Sequence, residues 1–222
     1  TVIGQSNMTM MNIEEKTPES VPDEDVLAAI AEARFMRATA YLMLVRSFGA
    51  VPIITNNVDF VDQPETRRHK REDVYRFLIN DLKFAAQHLP ESDIPGRVTK
   101  WSAKGMLAEA YLSRAGLGQS GTQDEAYLDS ARQAAGDVVH NSGLQLMENY
   151  DQLFYPENNN NEESLFALQW VYGGGWGTQN TLQAYLAYEP DLTGVGDGWG
   201  GGTQASTFLL RSFSPEDSIR RK

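Results

Sequence analysis

The sequence predicts a mainly α fold, in which stacked helix pairs precede a segment of glycine- and aromatic-rich loops. Three observations carry this reading. Over the first two thirds of the chain, apolar side chains recur three or four positions apart, the spacing that gathers them on one face of a helix. Capping and stopping residues bracket each such stretch. From Gly173 to Gly202, ten of thirty residues are glycine, too many for any continuous helix.

The elements follow in order. Val2, Ile3, Met10, Met11 and Ile13 suggest a short amino-terminal helix. From Asp25 to Phe48 the stripe is Leu27, Ile30, Ala31, Phe35, Ala38, Leu42 and Val45, with Asp23 as the expected N-cap after Pro22 and Gly49 as the stop. A second long helix is predicted from about Glu72 to Leu89, with Val74, Phe77, Leu78, Leu82, Ala85 and Leu89 on one face and Pro90 beyond it. A third begins at Thr99, a good cap, and carries Ala103, Met106, Leu107, Ala110 and Tyr111 until Gly116. The fourth opens on Thr122-Gln123-Asp124-Glu125, which reads as a capping box, and is expected to bury Tyr127, Ala131, Ala134 and Val138 before Gly143. Beyond it, Leu144 to Phe154 reads as a loop with apolar anchors, and Asn158 to Asn161 as a solvated turn. The alternation from Glu163 to Val171 predicts a short strand with Leu165 in the core.

Two helices look like copies. ARFMRATAYL from Ala33 and AKGMLAEAYL from Ala103 lie 70 residues apart and agree at Ala33/Ala103, Met36/Met106, Ala38/Ala108, Ala40/Ala110, Tyr41/Tyr111 and Leu42/Leu112. Small residues admit a neighbouring helix closely and large ones lock against it. This is the habit of tetratricopeptide pairs, and the separation is close to two of their ~34-residue units. The helix propensity of alanine and leucine is the competing explanation. A genuine repeat requires Tyr41 and Tyr111 both to be buried.

Composition excludes several function classes. Nineteen lysines and arginines against thirty aspartates and glutamates give a net charge of −11, contrary to the basic face a nucleic-acid binder needs. At 41% hydrophobic, the chain can build a core. No apolar run approaches the ~20 residues of a membrane-spanning helix, and no charged-then-apolar stretch opens the sequence. Cysteine is absent, which excludes disulfides, thiolate metal sites and cysteine nucleophiles. His69, His88 and His140 stand singly, and there is no HExxH pair, GxSxG elbow or GxxxxGK[ST] loop. No cofactor is called for.

Five stretches in order and spacing resemble the SusD/RagB family of outer-membrane nutrient-binding lipoproteins. They are Glu32 to Ala38 with Tyr41-Leu42 and Phe48-Gly49-Ala50-Val51-Pro52; Asp73-Val74-Tyr75, Asp81-Leu82 and Leu89-Pro90; Gly96 to Lys100 with Ala103, Leu107, Ala108 and Tyr111-Leu112; Leu153-Phe154 with Glu163-Ser164-Leu165-Phe166; and Gly198-Trp199-Gly200. The resemblance implies an outward-facing outer-membrane lipoprotein that captures an oligosaccharide and hands it to a SusC-like TonB-dependent transporter. It implies binding without catalysis, and membrane contact only through a lipid anchor outside this chain. Family members are about twice as long or more, so the chain reads as an internal portion of a larger protein, with an apolar surface expected where neighbouring segments belong. One continuous SusD-like domain is expected, with a tetratricopeptide-like scaffold at 1–145 and a loop-rich segment at 146–222, incomplete at its carboxyl end.

Within that frame, the aromatics Trp170, Tyr172, Trp176, Tyr185, Tyr188 and Trp199 are the richest cluster, and most lie among glycines. Rings can stack on the C–H faces of a sugar while Gln169, Gln179, Asn180 and Gln183 meet its hydroxyls. The candidate ligand-binding set is Trp176, Tyr188, Trp199, Tyr172, Gln179 and Asn180, with Trp176 first because Gly173, Gly174, Gly175 and Gly177 let the backbone turn its indole outward. Tryptophans filling a seam between loops and helices are the structural alternative, above all Trp199. Asp191 and Asp197 could hold calcium but do not fit the DxDxDG spacing, and turn formation also explains them. Asp81, on an apolar face between Leu78 and Leu82, requires a partner, for which Arg34, Arg37 and Arg46 are candidates. The basic run Arg67-Arg68-His69-Lys70-Arg71 is either a solvated loop or a docking patch. A peptide-binding member of the same family and a tetratricopeptide scaffold without nutrient ligand are the rival functions.

Overall fold

The structure is a computed structural model that describes residues 2–61, 65–117, 122–171, 182–186 and 205–217. The chain divides into two compact units, Thr1–Ala167 and Leu168–Lys222. Among the described residues of the first, five α-helices form the stack: α1 (Val2–Lys16), α2 (Asp23–Phe48), α3 (Arg71–His88), α4 (Lys100–Ala115) and α5 (Glu125–Asn141). Each packs on the next in sequence, α1 on α2, α2 on α3, α3 on α4 and α4 on α5. In the second unit the described residues include two short helices, α6 (Leu182–Leu186) and α7 (Thr207–Ser212), and Ser206 caps the latter by accepting from Leu209 N–H at 3.1 Å.

The helices begin and end for identifiable reasons. Asp23 is not the N-cap of α2; Pro22, extended at φ −58° and ψ 140°, holds that position, and Asp23, Glu24 and Asp25 occupy the first turn, where the helix dipole favours carboxylates. Gly49 ends α2 at φ +72°, a conformation that L side chains resist. Thr99 caps α4 in a reciprocal box with Ser102. At α5 the box expected on Thr122 is replaced by Asp124, whose Oδ1 accepts from Ala126 N–H at 3.2 Å and Tyr127 N–H at 3.5 Å. Asp124 N–H is itself bonded to Ala115 O at 3.0 Å, which fixes the helix start two residues beyond Thr122.

The core is continuous across α2, α3, α4 and α5, and Phe35, Tyr41, Leu42, Val74, Leu78 and Leu82 are its largest fully buried side chains. α2 and α4 both flank α3, which gives the two copies equivalent places in the stack. Tyr41 (0% exposed) and Tyr111 (8%) are both buried, as the repeat requires. Tyr41 packs edge-on to Phe77 at 5.3 Å and its hydroxyl accepts from Ile54 N–H at 2.7 Å, whereas Tyr111 packs near Tyr127 at 6.0 Å. Burial raises the Tyr41 phenol above its ordinary value, against the lowering effects of Ile54 N–H and Arg37.

The strand expected over 163–171 does not form, and there is no strand among the described residues. Leu165 and Phe166 are anchors instead. Ser102 donates its hydroxyl proton to Leu165 O at 2.5 Å, and Phe166 meets the ring of Phe35 edge-on at 5.0 Å. The carbonyl that a ladder would have used is taken by a side chain of α4. Leu165 is half-buried, resting on Gly105 of α4. The basic run at 67–71 is exposed; its backbone is tied at His69, whose N–H bonds Val51 O at 2.9 Å and whose Nδ1 accepts from Ile53 N–H at 3.0 Å. Among the described helices none is long and apolar enough to cross a membrane.

Candidate functional site

Tyr172, Trp176, Gln179, Asn180, Tyr188 and Trp199, the residues expected to bind ligand, lie outside the described residues, as do Asp191, Asp197 and the side chain of Gln183. Two rings of the same aromatic series are described. Trp170 and Tyr185, the latter on α6, are each 48% exposed. Neither is a core residue, as a stacking platform requires.

The first unit contains a polar site of its own, built around Asp81. This carboxylate is 2% exposed on the inner face of α3. Arg37 of α2 grips it bidentately, Nε to Oδ2 at 2.8 Å and Nη2 to Oδ1 at 2.9 Å. The third nitrogen, Nη1, donates to Asn7 Oδ1 on α1 at 2.8 Å. Asn7 Nδ2 passes the connection on to Ile54 O at 2.9 Å and Asn57 Oδ1 at 3.2 Å, and Asn57 Nδ2 returns to Gly4 O at 2.8 Å. The chain of bonds therefore joins α3, α2, α1 and the loop at 54–57. Of the three arginines considered for Asp81, Arg37 is the principal partner and Arg34 a distant one, with Nη1 at 3.9 Å. Arg46 goes elsewhere, bonding Glu109 and Ser113 of α4, each at 2.5 Å.

Beside this clamp a cleft of about 320 Å³ opens between α1, α2 and the 55–57 loop. Arg34, Arg37, Glu14, Thr55, Asn56 and Met11 are among the residues that line it. The sequence named the arginines but not the cleft, because its walls come from residues near 10, 34 and 56 and no local motif joins them. The one signal was the polar pair Ser6 and Asn7 within an apolar helix, and both are buried. Among the described residues no group of three or more histidine, aspartate or glutamate side chains is arranged to hold a metal ion.

Residues 1–112 match the model of a SusD-like family described as starch-binding and associating with the outer membrane. A SusD-like protein of Bacteroides ovatus is 44% identical over 220 residues, which is 99% of this chain and 40% of that protein. Among solved structures, one determined with xylogluco-oligosaccharide is 44% identical with a TM-score of 0.82, covering 90% of this chain and 39% of the other. A SusD superfamily protein of Parabacteroides distasonis is 26% identical with a TM-score of 0.83, covering 99% of this chain and 45% of that one. The chain thus spans about two fifths of the length of the relatives it matches. Helices that pack in chain order, paired copies 70 residues apart, and a family model matching half the chain agree: the protein belongs to the SusD-like family.

Proposed function

We propose that this chain is part of a non-catalytic, surface glycan-binding protein that captures oligosaccharides at the outer membrane and delivers them to a SusC-like TonB-dependent transporter. The observation that carries the reading is the likeness to the 44% identical structure determined with a xylogluco-oligosaccharide, which extends over 90% of this chain. The glycine–aromatic segment supports it. A helical scaffold that only recruits proteins has no use for rings set among glycines, whereas a sugar binder gains a stacking surface from each. The site we assign is the platform of Trp176, Tyr188, Trp199 and Tyr172 with the amides of Gln179 and Asn180.

Stacking of bases on aromatic rings contributes about 1–3 kcal/mol per ring, and sugar stacking is taken as similar or smaller. Two rings and a few amide hydrogen bonds then give millimolar affinity, about −4 kcal/mol. Replacing Trp176 with alanine is expected to weaken retention on a xyloglucan affinity gel while thermal unfolding stays nearly unchanged. A large fall in melting temperature with retention intact would place the ring in the core and remove it from the site.

A further inference from the structure

We infer that Gly105 of α4 is a positioning residue for glycan capture, acting through Leu165 to fix the point from which the chain leaves the helical stack for the glycine–aromatic segment. The inference rests on the glycan-binding reading above and gives Gly105 no contact with ligand.

Glycine is a poor residue for the middle of a helix unless something requires it. It loses more conformational entropy than alanine on folding there and brings no side chain to bury. Gly105 lies inside α4, and its φ is not positive, so the backbone gives no reason for it. The reason is space. A Cβ at Gly105 would stand 3.0 Å from Leu165 Cδ1, well inside the ~3.5–4.0 Å at which two carbons pack best. Other helix glycines among the described residues differ. At Gly136 of α5 an added Cβ would meet nothing within 4 Å, and at Gly4 of α1 it would meet the end of the Asn57 amide at 3.3 Å.

The space receives the end of a segment that is tied down at successive residues. Glu162 O accepts from Gln145 N–H at 3.2 Å, Glu163 Oε2 from Met147 N–H at 3.1 Å, and Leu165 O from the Ser102 hydroxyl at 2.5 Å. Phe166 then meets Phe35 edge-on at 5.0 Å. Residues 163 to 166 are half-buried, and those from 167 to 171 are all exposed. Leu165 and Phe166 are therefore where packing on the helices ends.

Trp170, the first ring of the aromatic series, follows Phe166 by four residues, a chain reach of about 14 Å at most. It is 48% exposed. Rings that stack on a sugar must be held to about 0.5 Å and 10–20° by groups whose own rotamers are locked by packing. Leu165 in the Gly105 groove is such a group, and a slack exit would scatter the rings that follow it. The effect of filling the groove separates this role from plain packing. Alanine favours the helix at position 105 while it displaces Leu165, so stability and ligand retention are free to move in opposite directions. A residue that served stability only would move them together.

The test uses the 222-residue chain, with retention on a xyloglucan affinity gel, urea unfolding, and the indole Nε1–H NMR signal of Trp170 as readouts. Gly105→Ala is expected to weaken retention about threefold or more, within the range of a coupling carried by packing. It should also move the Trp170 signal and leave the urea midpoint unchanged or higher. Adding Leu165→Val removes the methylene that alanine brings, so the pair conserves volume. The double variant should restore retention and the Trp170 signal toward the parent. Leu165→Ala, which empties the groove without altering α4, should weaken retention as well, and it carries the test if Gly105→Ala does not fold. Retention of both single variants equal to the parent would overturn the inference and leave the glycan-binding reading standing. So would a double variant as weak as Gly105→Ala, or a loss of retention that only follows a lower urea midpoint. A parent chain that the gel does not retain would overturn that reading and this inference together.

Discussion

Asp81 is the position where a single substitution should cost the helical stack most. Replacing it with alanine removes both carboxylate oxygens from Arg37, which is 6% exposed and would keep Asn7 Oδ1 as its hydrogen-bond acceptor beside the Phe77 ring. Breaking a buried ion pair from one side costs about 3–5 kcal/mol, because the remaining charge is stranded away from water. Set against a typical total of about 5–15 kcal/mol, the loss is a large fraction of stability. For a unit of this size it corresponds to a fall in melting temperature of about 6–20 °C. Urea unfolding of Asp81→Ala beside the parent chain would measure it. The companion variant, Asp81→Leu with Arg37→Met, removes both charges and fills the space. It should recover most of the loss and remain about 1–3 kcal/mol short, since Asn7 Oδ1 is then unsatisfied. If Asp81→Ala costs less than about 1 kcal/mol, or the double variant is worse than the single, the clamp does not hold the stack.

Tyr41→Phe should cost about 1–3 kcal/mol, because Ile54 N–H loses its buried acceptor. The same variant should change the alkaline limb. The folded phenol titrates above its unfolded value near 10, so the unfolded chain releases its proton first and stability falls as pH rises through that window. Phenylalanine removes this contribution, and the difference between parent and variant in urea midpoint should shrink from about pH 10 upward. Ser102→Ala should lower stability by about 1–3 kcal/mol, more than Thr99→Ala, because it ends both the reciprocal cap and the bond to Leu165 O. Comparison of the two melts checks this, and equal losses would mean that the Leu165 bond adds nothing.

How much of this was legible in the sequence depends on how local the signal was. Helices α2, α3 and α4 announced themselves through spacing and punctuation, because a 3.6-residue period and a terminal glycine or threonine are properties of one short stretch. The need of Asp81 for a partner was equally plain, since a carboxylate between Leu78 and Leu82 cannot stand alone. The choice of Arg37 over Arg34 and Arg46 was not, because a shift of one turn along α2 decides which guanidinium reaches α3. The cleft was hidden for the same reason, its walls being brought together only by packing. The false strand has a different origin. Alternation at 163–171 was real, but it reflects Leu165 and Phe166 taking turns against α4 and α2, not a pleated face.

Those two anchors also explain where the repeat departs from itself. In the aligned copies Phe35 of α2 corresponds to Gly105 of α4, the most drastic difference between them. Phe35 is fully buried and offers its ring to Phe166. At Gly105 a Cβ would lie 3.0 Å from Leu165 Cδ1, tighter than ordinary packing allows, so the glycine makes the groove that Leu165 enters. One repeat position is thus used as a surface in α2 and as a space in α4, by consecutive residues of the same returning segment. Ser102, a turn earlier on α4, holds that segment by its backbone. The first unit closes at Ala167, one residue after Phe166. The chain therefore leaves the helical stack from a point fixed by a ring contact, a side chain in a groove and a hydrogen bond. A repeat that kept phenylalanine at both positions would preserve the stack but leave no room for Leu165, and the exit would be set elsewhere.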